Sequence, residues 1–256
     1  MGEGLITRRN SSGVLIEFEN YYSSVEGLTS STPTALSAAR DSLAGSSVGA
    51  YALFAGGDAG SASNVVDAYN TSLTRSTPTS LSAVRHRLAG SSVGDYALFA
   101  GGSTSTSSSS VSNVVDAYNT SLTRSTPTPL SVARYWLAGS SVGDYALFAG
   151  GNSSSAVDAY NTSLTRSTPT SLSAARHRLA GSSVGNYALF AGGDAGSASN
   201  VVDAYSLTIK AYIPVTQGSK YKFTEGSEQT ASTNTTLVYN QKVTGYVKYK
   251  KGKITM

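Results

Sequence analysis

At 256 residues the chain is long enough to bury a substantial core as one large domain or two small ones. Only 13% of it is charged and it has no Cys, which excludes a disulfide framework, a cysteine metal site and a thiol nucleophile, and no apolar run approaches the roughly 20 residues of a membrane span. The net charge of +4 belongs to the tail: residues 207–256 hold eight Lys and two Glu (+6), the rest eleven Arg and thirteen acids (−2), so a basic nucleic-acid stripe on the main body is not expected.

In chain order, the start MGEGLITRRNSSG lacks the apolar stretch of a secretion signal, and no conventional export is expected from it. VLIEFEN (14–20) can be laid on the later NVVDAYN, and LTSSTPTALS (28–37) on LTRSTPTSLS (73–82). ALFAGG then begins at Ala52, Ala97, Ala146 and Ala188, in steps of 45, 49 and 42 residues. A unit of that length, made of short apolar segments separated by Gly, Ser and Asn, predicts an all-β fold built as a β-propeller with four strands per blade. Within one unit the strands read LAGSS (88–92), YALFA (96–100), VVDAY (114–118) and LTRST (122–126), with VGD as a hairpin turn. Pro127 and Pro129 suit the end of an outer strand, because proline cannot donate to an interior ladder. Small Ala, Gly and Ser let neighbouring sheets approach, while Leu98, Phe99 and Tyr118 fill the gaps. Four full blades are expected. A fifth, shared by the chain ends, would join the N-terminal segments to SKYKF (219–223) or TLVYN (236–240); the alternative is four blades, the last completed by LTSSTPTALS. The chain divides as an N-terminal arm over 1–27, repeats over 28–206, and a small lysine-rich β segment over 207–256 that closes or attaches the ring.

The Arg of AVRHRLAG, the double glycine of YALFAGG and the Tyr of VVDAYN recur in that order in four copies over residues 28–205. In these features the chain resembles the kelch repeat family. It departs from that pattern in TSLTRS, where Leu stands in place of the expected Trp. Near-identical copies make it similar to bacterial and phage-encoded kelch-like proteins, which implies a surface or tail component, located on a virion or cell surface.

The copies differ chiefly in two places. The pair between the recurring Arg and Leu is Asp41-Ser42, His86-Arg87, Tyr135-Trp136 and His177-Arg178, and the segment after the double glycine also changes. In up-and-down blades these two links emerge on one rim, the layout of a recognition surface on a rigid scaffold. Trp, Tyr, Arg and His suit binding hot spots, and Tyr135 and Trp136 could stack on sugar rings. These eight residues are the candidate ligand-binding set; drift at exposed loops is the competing explanation.

Other chemistry finds little support. His86 and His177 lack companion ligands for a metal, and Asp58 and Asp194 stand alone in their loops. Asp67, Asp116, Asp158 and Asp203 recur with Arg40, Arg85, Arg134 and Arg176, which predicts structural pairing rather than catalysis. The NTS triplets at Asn70, Asn119 and Asn161 read as turns. The expectation is a non-enzymatic recognition module without cofactor or metal, associated with a phage or prophage tail. It would bind a host-surface glycan or protein, with residues 207–256 meeting other virion or tail proteins, and without nucleic acid or membrane insertion. A purely structural virion component and a glycan-active propeller enzyme are the alternatives.

Overall fold

The computed structural model describes residues 28–105, 110–152 and 154–207 with their side chains, and outside them Ser12 and the backbone of the further strands named below. Residues Met1–Pro33 form one compact unit and Thr34–Met256 another. In the first, β1 (Glu3–Arg9) pairs antiparallel with β2 (Leu15–Tyr22), so the segment expected as a degenerate third strand lies instead in a two-stranded ribbon.

The second unit contains the repeats as four antiparallel sheets. They are β3 (Ala44–Val48), β4 (Tyr51–Ala55), β5 (Val66–Asn70) and β6 (Arg75–Ser76); β7 (Ala89–Val93), β8 (Tyr96–Ala100), β9 (Val115–Asn119) and β10 (Arg124–Ser125); β11 (Ala138–Val142), β12 (Tyr145–Ala149), β13 (Val157–Asn161) and β14 (Arg166–Ser167); and a last sheet of three strands, β15 (Ala180–Val184), β16 (Tyr187–Ala191) and β17 (Val202–Ser206). The fold is all-β and propeller-like. The fourth sheet lacks the expected outer strand, because the chain leaves β17 into β18 (Thr208–Val215), which pairs with β21 (Thr235–Lys242). β19 (Lys220–Tyr221) pairs with β20 (Gln229–Thr230), and β22 (Lys248–Lys250) with β23 (Lys253–Thr255). The described residues of SKYKF and TLVYN therefore pair with β20 and β18 rather than with a repeat sheet, and no fifth blade forms among the described residues. Residues 28–40 hold no strand; of these, Ser37 donates to Asp67 of the first sheet, and the Tyr69 hydroxyl donates to the Thr34 carbonyl.

Local chemistry explains the unit. Asn119 Oδ1 accepts from the Ser121 and Thr123 amides at 3.0 and 2.9 Å, and Leu122 takes a left-handed φ of 59°, so NTSL is a closed turn that leaves only a two-residue outer strand before Pro127. Asp116 is buried and accepts from Ser82 N and Oγ, from Arg124 at 3.1 Å, and from Arg85 through a short charged hydrogen bond. Arg85 spends its other Nη on the Gly101 and Val114 carbonyls at 2.7 and 2.9 Å. A buried ion pair stabilises only when its remaining donors and acceptors are satisfied, and here they largely are. Arg40–Asp67 and Arg134–Asp158 repeat the pairing at 2.9 and 2.5 Å, and Arg176–Asp203 repeats it again.

Adjacent sheets bury apolar faces on one another. The first such layer sets Val48, Leu53 and Val66 against Ala97, Phe99 and Tyr118, and the second and third repeat it residue for residue. The innermost strands meet backbone to backbone: a Cβ on Gly90, Gly139 or Gly181 would overlap the carbonyl oxygen of Gly45, Gly90 or Gly139 respectively. Beside them, Ser46, Ser91 and Ser140 each donate Oγ to a carbonyl of the next sheet at 2.7 Å. All four AGSS strands line one cleft of about 280 Å³, so the sheets are arranged about a common axis.

Candidate functional site

Each sheet has two distinct ends. At one, the VGx hairpin repeats almost unchanged in all four and the NTS turn in the first three; at the other, the residues before the first strand face those after the second. The bridges Asp41↔Asp58, His86↔Ser103 and His177↔Asp194 carry the hairpin register three residues past the strands. The two kinds of variable link therefore do share one end. Asp58, Ser103 and Asp194 were not among the expected site residues, although extending the pairing Ala89↔Ala100 by three positions leads directly from His86 to Ser103.

The second residue of each pair has a left-handed backbone: φ is 51° at Ser42, 56° at Arg87, 55° at Trp136 and 55° at Arg178. For residues with a Cβ this costs of order 1 kcal/mol each, and it persists because neighbours hold it. The Arg87 amide donates to the Ser42 carbonyl at 2.8 Å, Trp136 to Arg87 at 2.9 Å and Arg178 to Trp136 at 2.8 Å. These bonds link the four variable pairs in one ladder across the sheets.

The side chains on this ladder converge on the single Trp. The Arg178 guanidinium carbon lies 3.8 Å from the centre of the Trp136 ring and that of Arg87 4.6 Å away. His177 stacks on Trp136 at 5.6 Å and 22°, and Tyr135 tilts against it at 4.9 Å. Cation–π contacts of this kind contribute about 0.5–2 kcal/mol each. Among the described residues neither Arg87 nor Arg178 forms an ion pair. Trp136 thus already carries two guanidinium groups and an imidazole, and the expectation of an open indole for a sugar ring is replaced by that of a cationic aromatic stack.

His86 also departs from expectation. It is not on the open rim but fully buried, whereas Asp41 and Ser42 of the first sheet and Arg178 of the last are exposed. Burial and the neighbouring Arg87 charge push its imidazole below the ordinary value of 6.5, against the opposing pull of Asp58 and Asp41. Neither ring nitrogen of His86, nor Nδ1 of His177, has a hydrogen-bond partner among the described residues. His177 Nε2 stands 3.9 Å from Asp194. No group of three or more His, Cys, Asp or Glu poised for a metal occurs among the described residues.

The chain matches no protein-family model and no curated protein. Among solved structures it is similar to one described as the structure of YjhT, with a TM-score of 0.50 and 12% identity. The likeness is one of fold. It covers 69% of this chain, and the chain spans 63% of that structure. No helix among the described residues is long and apolar enough to cross a membrane.

Proposed function

We propose that this chain is a non-enzymatic recognition module, kelch-like in its repeats, whose ligand is an acidic surface glycan bound at the end where the variable pairs gather. The carrying observation is that Arg87 and Arg178 lie against Trp136 with no carboxylate partner among the described residues. The indole face holds each guanidinium in place, and a carboxylate or phosphate is the partner for which arginine geometry is suited. The exposed Asp41 and Ser42 add polar groups for hydroxyls at the same end. The setting implied by the resemblance is a phage or prophage tail meeting its host, and a protein with an acidic patch is the second ligand class that such a surface fits.

A panel of immobilised surface polysaccharides tests this, with polygalacturonate and polysialic acid set against neutral dextran. Acidic polymers are expected to bind and dextran not to, with affinity falling as salt screens the charges. Replacing Arg178 by Ala should weaken binding about tenfold or more, the cost of a charged hot-spot contact, while the far-ultraviolet spectrum stays unchanged. Equal binding of neutral and acidic polymers, or full binding by the variant, would remove the cationic stack from the site. Product release from any of these polymers would favour a glycan-active enzyme instead.

A further inference from the structure

The first and last sheets each expose a face that the inner sheets bury. In the last sheet, Val184 and Val202 are 62% and 57% exposed, although their counterparts Val93 and Val115 are 3% and 1% exposed. In the first sheet it is the opposite face that is open: Phe54 is 36% exposed where Phe99, Phe148 and Phe190 are at 0%, and Leu73 is 48% exposed where Leu122 and Leu164 pack into the first and second layers. One open face is the kind that every internal layer contributes from the preceding sheet; the other is the kind contributed by the following sheet.

We infer that these two faces are complementary halves of an interface between copies of this chain, with the last sheet of one copy docking on the first sheet of the next. The occupant is set by identity of parts. The internal layers are built from AGSS, YALFA and VDAY strands, and the two open faces carry the same strands in the same order. The polar register continues as well. Each inner strand accepts a serine hydroxyl from the sheet before it, and in the last sheet Ser182 occupies the donor position, with Ser46 of the next copy offering the carbonyl. The second glycine amide of each sheet donates to the carbonyl of the recurring Arg in the following one, from Gly57 to Arg85, Gly102 to Arg134 and Gly151 to Arg176. Gly193 and Arg40 are the unmatched ends of that series. The ladder Ser42–Arg87–Trp136–Arg178 likewise ends on the Arg178 carbonyl at one side and the Ser42 amide at the other. Such a head-to-tail contact forms a ring if the rotation closes and a filament if it does not.

Gly45 supplies a discriminating test. Within one chain a Cβ there meets only the Phe54 ring at 3.7 Å, an ordinary contact, whereas in the assembly it would strike the partner's Gly181 carbonyl as Gly90 would strike Gly45. Light scattering on the full chain is expected to give at least twice the 26.3 kDa of one copy. Gly45→Ala, which blocks one face, and Val202→Glu, which blocks the other, should each yield a monomer with an unchanged far-ultraviolet spectrum. An equimolar mixture of the two variants retains one intact pair of faces and should recover a species of two chains. A monomeric parent chain, an assembly that survives either substitution, or a mixture that stays monomeric would each overturn the inference.

Discussion

At the residue scale, equivalent repeat positions do not share one environment. His86 is fully buried, whereas Asp41 in the same place is exposed and Tyr135 half-buried. The His86 imidazole is held below its unfolded value of 6.5, so the folded state resists a proton that the unfolded chain accepts. The sign follows: the contribution to stability is complete above the unfolded value and is lost as the pH falls from there toward the folded one. Denaturant midpoints measured between pH 7 and 5 should therefore decline, and His86→Phe should flatten that decline. An unchanged pH profile in His86→Phe would show that this imidazole does not resist protonation. Tyr118 and Tyr160 are affected by the same burial in the other direction, their phenols raised well above the ordinary value of 10 while donating to the Thr79 and Thr128 carbonyls.

At the scale of the element, the innermost strand carries the closest packing. Gly90 and Gly139 face the backbone of the preceding sheet with no room for a methyl group, while Gly45, at the same place in the first sheet, has room. Overpacking of this kind costs about 1–3 kcal/mol. Gly90→Ala and Gly139→Ala are expected to lose that much in urea unfolding, whereas Gly45→Ala should lose little in the unfolding of the single chain. Equal losses at all three positions would contradict the stacked inner strands. Much of this element was legible in the sequence: YALFA lies on Tyr96–Ala100 as expected, and the hairpin turn falls at Gly94 and Asp95. The inner strand begins one residue later than expected, at Ala89, because Leu88 packs into the layer between sheets and Val93 pairs with Tyr96. The outer strand shrinks to Arg124–Ser125 because Asn119 closes its turn with two side-chain hydrogen bonds, a commitment that strand propensity alone does not reveal.

At the scale of the molecule, repetition made the all-β, propeller-like class readable and placed both variable links at one end. What repetition could not supply was the ending. A degenerate strand such as LIEFEN carries the same alternation whether it joins a repeat sheet or pairs with EGLITRR, and the choice depends on contacts distant in sequence. The clustering of arginines on Trp136 was hidden for a related reason, since it arises between sheets rather than within a repeat. The chain nonetheless supplies its own reporter, because Trp136 is its single Trp and lies at the centre of the proposed site. Intrinsic fluorescence during titration with an acidic polysaccharide retained on the panel is the most direct measurement. A saturable change in Trp emission, with the same midpoint as binding on the panel, is the predicted result; tight binding with unaltered emission would place the ligand elsewhere and contradict a recognition surface built from the variable pairs.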